Sequence, residues 1–173
     1  MAGSATSYLE TAVLGHTLGF AAMTMPTAVY IGLDTSAPTA AAAGTEVAGG
    51  GYTRMAATFA MSTPPNIAAN TATISFPTAT AAWGAVGWFE LWSAATGGNR
   101  LYWGPLVDPA DGVTPITRNV LSGDIMRFTA GVDCVGLSVS TQRWIPVIIA
   151  PVSMGGCVIS LQSRWAGRDF CCK

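Results

Sequence analysis

The chain has 173 residues; half are hydrophobic, only 10% are charged, and the net charge is −1. An average soluble domain carries roughly a quarter charged residues; here Ala, Thr, Gly and Pro take their place, favouring short strands and turns over long salt-bridged helices. The one lysine, Lys173, stands at the last position, so no basic patch exists for a nucleic-acid backbone, and so little charge implies a surface largely covered by other subunits.

Ser7-Tyr8-Leu9-Glu10 reads as a capping box, with Ser7 as N-cap and a helix running to about Leu18 before Gly19 ends it. Leu9, Val13, Leu14 and Leu18 form one apolar stripe on it, expected to dock on a sheet or a neighbouring subunit. His16, the only histidine, takes an ordinary solvated or capping role there. The opening MAGSATSYLE lacks a basic stretch followed by an apolar one, so no secretory signal is expected.

Thr27 to Leu33 is a strand with Val29, Ile31 and Leu33 inward, followed by a long loop from Asp34 to Gly51. Ordered loops of that length usually serve as a contact or a lid. Tyr52 to Met61 and Thr71 to Phe76 follow as strands, separated by Thr63-Pro64-Pro65-Asn66.

Trp83 to Trp103 holds four of the six tryptophans. In GWFELWS, Gly87, Phe89 and Leu91 fall on one face of a strand and Trp88, Glu90 and Trp92 on the other. Thr96-Gly97-Gly98-Asn99 supplies the reversal, and Arg100 to Trp103 returns as the second strand of a hairpin. Only one of the two faces can belong to the domain's own core. The tryptophan face therefore needs a cover, expected from the N-terminal helix or a neighbouring subunit. Glu90 has three readings: a carboxylate in an aromatic sugar-binding groove between Trp88 and Trp92, a salt bridge to Arg100 or Arg127, or a hydrogen bond across a subunit contact.

Pro105 belongs on an edge or at a strand end. Asp108 and Asp111 lack the ladder of ligands that calcium needs and read as turn residues. Ile116 to Leu121 and Ile125 to Thr129 read as a hairpin around Ser122-Gly123-Asp124, and Gly131 opens a last strand to Val139. The apolar run Trp144 to Val152 is too short and too proline-rich to span a bilayer. Cys134, Cys157, Cys171 and Cys172 form no CxxC and read as buried or idle thiols, so neither a metal nor a cofactor is expected.

The fold class is mainly β: an antiparallel, jelly-roll-like β-sandwich with one short N-terminal helix and an extended C-terminal arm. Residues 1–20 form the helical N-terminus, 21–141 the sandwich, and 142–173 an extension that reaches neighbouring subunits by strand addition.

TAVYIGLDTSAPT, GTEVAGGGYTR, FPTATAAWGAV, GGNRLYWG and SGDIMRFTAG, in this order and spacing, resemble small β-sandwich virion proteins of tailed bacteriophages. That family is tail-fibre-like, and similar proteins act as head decoration or cement proteins. The resemblance covers about residues 5 to 140 and implies a structural protein rather than an enzyme, made in the host cytoplasm and carried in the virion. One histidine and few carboxylates agree, since they do not readily assemble an acid/base pair.

The leading expectation is a capsid decoration or cement protein: a homo-oligomer, a trimer, bound to the major capsid protein. Leu9, Val13 and Leu14 in the helix and Trp144, Ile145, Val147, Ile148 and Ile149 in the arm would make the contacts. The alternative is a tail fibre or receptor-binding module that recognises host glycans through Trp88, Glu90 and Trp92.

Overall fold

Glycine and proline interrupt the chain so often that no strand among the described residues exceeds eight residues. The computed structural model describes residues 3–62, 67–107, 114–131, 134–141, 143–149, 152–154 and 157–159, with side chains no further than residue 128. In chain order the elements are β1 (Gly3–Ala5), α1 (Ser7–Thr17), β2 (Val29–Asp34), β3 (Met55–Ala57), β4 (Phe59–Ser62), β5 (Ile67–Asn70), β6 (Ile74–Ser75) and β7 (Gly84–Val86). They continue as β8 (Trp88–Trp92), β9 (Arg100–Val107), β10 (Arg118–Val120), β11 (Ile125–Gly131), β12 (Cys134–Thr141), β13 (Arg143–Ile149), β14 (Val152–Met154) and β15 (Cys157–Ile159). The described residues are mainly β with one short helix, as the sequence implies.

β9 is the strand both halves share. Its first part pairs with β8 on one side and with β1 on the other. Its end, Leu106 and Val107, pairs instead with Ile149 and Ile148 of β13, which leads on to β12, β11 and β6. Beyond β8 lie β2 and β3. Among the described residues every strand pairing is antiparallel except that of β1 with β14. Ile31, Leu33, Phe89 and Leu91 from one side and Ile74, Met126 and Phe128 from the other belong to one buried core. Phe76 joins them, 6.0 Å from Phe128, with Tyr52 stacked at 5.9 Å and Trp83 edge-on at 6.3 Å.

Pro105 sits inside β9 rather than at an edge, opposite Trp88. The amide of Leu106 donates to Gly87, on the β8 side. Backbone groups alternate along an antiparallel strand, so the Pro105 nitrogen faces the other side. There the β1 ladder has ended at Trp103 and the β13 ladder begins at Leu106. The missing N–H falls in that gap.

Three further expectations change. The helix is capped by Thr6, not Ser7: Thr6 is extended, and its hydroxyl accepts from the Leu9 amide at 3.3 Å. Its own amide donates to the Leu101 carbonyl at 3.0 Å, so β9 holds it in the capping conformation. Tyr52–Met61 yields two short strands rather than one, β3 on β2 and β4 paired with β5, while the expected third strand shrinks to β6. Finally, the turn at Ser122-Gly123-Asp124 forms, but not as a hairpin: β10 pairs with β7, and β11 with β12 and β6. The turn is held from outside by the 79–80 segment. Gly123 donates to the Ala79 carbonyl, Ala79 donates to that of Asp124, and the Ser122 hydroxyl donates to that of Thr80.

The stretch expected to leave as an arm begins with backbone pairing inside the chain, β13 between β12 and β9 and β14 beside β1. The side chains of Trp144, Ile145, Val147, Ile148 and Ile149 lie outside the described residues, as do Asp108, Asp111, Cys171 and Cys172.

Candidate functional site on the tryptophan face

Alternation along β8 puts Phe89 and Leu91 into the core and turns Trp88, Glu90 and Trp92 outward, as the sequence implies. Register builds the rest of that outer face: Trp88 lies opposite Asp34 and Pro105, Glu90 opposite Gly32 and Trp103, Trp92 opposite Tyr30 and Arg100. A bulge between Leu91 and Trp92 is what brings Arg100, rather than Leu101, onto the face. The turn below it is made by Gly97 and Gly98, both at positive φ (61° and 76°).

Over Glu90 and Arg100 the cover comes from the 34–54 segment of the same chain rather than from the N-terminal helix. Glu90 has no exposed surface, and Arg100 Nη1 meets its Oε1 at 2.6 Å. That guanidinium also donates to three loop carbonyls: Ala42 at 2.6 Å, Thr39 at 2.9 Å and Ala40 at 3.1 Å. The Gly44 amide closes on Glu90 Oε1 at 3.2 Å. A charge buried on the sheet thus holds the loop down by its backbone. The salt-bridge reading of Glu90, with Arg100 as partner, is the one the structure takes. A carboxylate so enclosed presents no oxygen to a sugar hydroxyl.

Arg54 performs the reverse operation. It makes a bidentate pair with Glu46, 2.7 Å at each of Nε and Nη2, and Nη1 donates to the Gly97 and Ala94 carbonyls of the hairpin turn at 2.8 and 3.3 Å. Its guanidinium carbon lies 3.6 Å from the centroid of the Trp92 ring, within cation–π range. Each arginine reaches from its own segment onto the other's carbonyls. The two together fasten loop and hairpin.

Gly32 makes room for this arrangement. A Cβ there would stand 3.2 Å from Glu46 Oε1, 3.3 Å from the Tyr52 hydroxyl and 3.4 Å from Trp92 Nε1. The Tyr52 hydroxyl accepts from the Leu33 amide at 2.8 Å and donates to Glu46 at 3.0 Å. Burial, helped by the Glu46 charge, holds that phenol well above its usual range, so it stays a donor. Asp34 is the third acid, buried at 1% exposure with neither carboxyl oxygen hydrogen-bonded. Burial first, then Glu90 and Glu46, push it up to about 8.

The remaining candidates sit apart. Trp88 is half-buried and leans on Trp103 at 6.3 Å; Trp92 is half-buried under Arg54. On α1 only Leu9 is buried, Val13 packs partly against the core, and Leu14 is 58% exposed. Leu18, Phe20 and Met25 are likewise exposed, at 64%, 82% and 82%. The His16 Nδ1 accepts from the Met23 amide at 3.3 Å and so organises this segment.

Sequence reading missed Arg54, Glu46, Asp34 and Tyr52. Glu46 and Arg54 are eight residues apart on irregular chain, a spacing without a period. Asp34 looked only like the start of a loop.

A family model described as podophage GP4 fiber I protein gp80 matches residues 4–132. The chain belongs to this family. The match begins at β1 and takes in the helix, both arginine clasps and all of β11, so the tryptophan face lies wholly within the gp80 region. The protein is accordingly a bacteriophage structural protein, a tail-fibre-like component of the virion. No curated protein matches the chain.

Proposed function

We propose that this chain is a structural subunit of a podophage tail fibre and that it assembles with copies of itself. The observation that carries this reading is the gp80 fibre family match over residues 4–132, which covers the helix and the strands through β11. It favours the fibre reading over head decoration and over a contact with the major capsid protein. Assembly falls to the exposed apolar side chains of Leu14, Leu18, Phe20 and Met25.

The role is structural rather than enzymatic. The acids gathered on the tryptophan face are engaged in holding a loop, since Glu90 and Glu46 each pair with an arginine. Glycan recognition by Trp88 and Trp92 has less support, because Arg54 lies over one ring and Trp103 against the other. Deleting the gene in its phage tests the proposal. The fibre reading expects intact, filled heads that fail to adsorb to host cells. Fragile heads that leak DNA yet adsorb normally would return the protein to the capsid.

A further inference from the structure

Three carboxyls and two guanidiniums meet where the 34–54 segment closes on the sheet. Glu90 is matched by Arg100 and Glu46 by Arg54. Asp34 is the remainder, with both oxygens buried and neither hydrogen-bonded. Gly44 lies directly over it: a Cβ there would fall 2.9 Å from both Asp34 Cβ and Cγ. The base of the loop is closed around the same residue. Asp34 forms a bridge with Glu46, and the Thr35 amide donates to the Thr45 carbonyl at 2.9 Å. A carboxylate without counter-charge or hydrogen bonds is very costly in such a place, whereas a neutral carboxyl costs far less.

We propose that residues 35–46 form a proton-held cover over the tryptophan face, closed while Asp34 keeps its proton and loosened when Asp34 ionises. The charged and titratable groups around it decide the sign. Glu90 on β8 and Glu46 on the loop oppose ionisation; Arg100 on β9 and Arg54 before β3 favour it, but each is committed to another acid. Tyr52, itself neutral, supplies no counter-charge.

An acid that titrates at about 8 when covered and at 3.8 when free binds its proton in the closed form alone between those values. Closure is therefore strongest below about 3.8, weakens steadily as pH rises through that window, and changes no further above about 8. The competing explanation for an unmatched buried carboxyl is a bound cation. Among the described residues no group of three His, Cys, Asp or Glu side chains, these three carboxyls included, is placed to hold a metal ion.

Amide hydrogen exchange on the full chain from pH 5 to 9, corrected for the intrinsic pH dependence, tests the cover at Thr35, Gly44 and Thr45. In the wild type, protection of these amides should fall by up to about tenfold per pH unit until about pH 8 and then level off. In Asp34→Asn, which keeps the neutral shape, it should be flat and higher at pH 8. Equal slopes in the two proteins would overturn the proposal. So would a change in wild-type protection on adding calcium or EDTA that Asp34→Asn lacks, since Asp34 would then be a ligand. Carbon NMR of the wild-type carboxyls decides the matter without a variant. One carboxyl titrating far above the others supports the cover; all of them titrating near ordinary values contradicts it.

Discussion

Arg100 serves four acceptors from one position: the Glu90 carboxylate and the carbonyls of Thr39, Ala40 and Ala42. Removing it leaves a buried carboxylate without its counter-charge and three loop carbonyls without this donor, so Arg100→Met should cost about 3–5 kcal/mol in urea unfolding. Glu90→Gln keeps an acceptor of the same shape and should cost less, about 1–3 kcal/mol. A reversed ranking would mean that the ion pair alone, not the loop carbonyls, holds the cover. Half of this site was legible in the sequence. Alternation in GWFELWS placed Glu90 between Trp88 and Trp92, and Arg100 was a named partner. That Glu90 is enclosed rather than exposed depends on where an irregular loop comes to rest. No periodicity carries that information.

At the scale of elements, β9 organises its neighbours. It receives Thr6 at the start of the helix, and the Arg100 side chain leaves from its bulge to hold the loop. Thr6→Ala removes both the cap to Leu9 and the hydroxyl's own bond to the Arg100 carbonyl, and should destabilise the protein by about 1–2 kcal/mol in thermal unfolding. Thr6→Ser should restore most of the loss. Gly44→Ala addresses the loop directly. The new methyl would fall 2.6 Å from the Ser36 carbonyl oxygen, which is backbone and can yield only if the loop lifts. A loss of about 1–3 kcal/mol with increased exchange of the Thr35 and Thr45 amides is expected; an unchanged protein would show that residues 35–46 do not rest on Asp34. Here the sequence was a partial guide. The helix and its glycine stop were readable from local signals, but the cap moved to Thr6 because a strand almost a hundred residues away holds it. The Ser122-Gly123-Asp124 turn was equally readable. Its strands went to different partners because Ala79 and Thr80 occupy the place where a hairpin would have closed.

For the whole molecule, the short alternating strands gave the β class, whereas the sharing of β9 between two sets of strands is a long-range outcome that no single segment encodes. The balance of surfaces was also visible early: a tenth of the residues charged, and hydrophobic side chains left over after the core is filled. Leu14 and Leu18 are among that surplus, so charging them should spare the fold but not the proposed self-assembly. Leu14→Glu with Leu18→Glu should leave the melting temperature nearly unchanged and lower the mass measured in solution toward that of one chain. A double variant that keeps the wild-type mass would move the subunit contact elsewhere on the surface. Where this chain sits in the virion is read from gold-labelled antibodies to it, viewed on intact phage by electron microscopy. A fibre subunit puts the label on the tail fibres and leaves the heads bare; label spread over the capsid surface would overturn the fibre assignment.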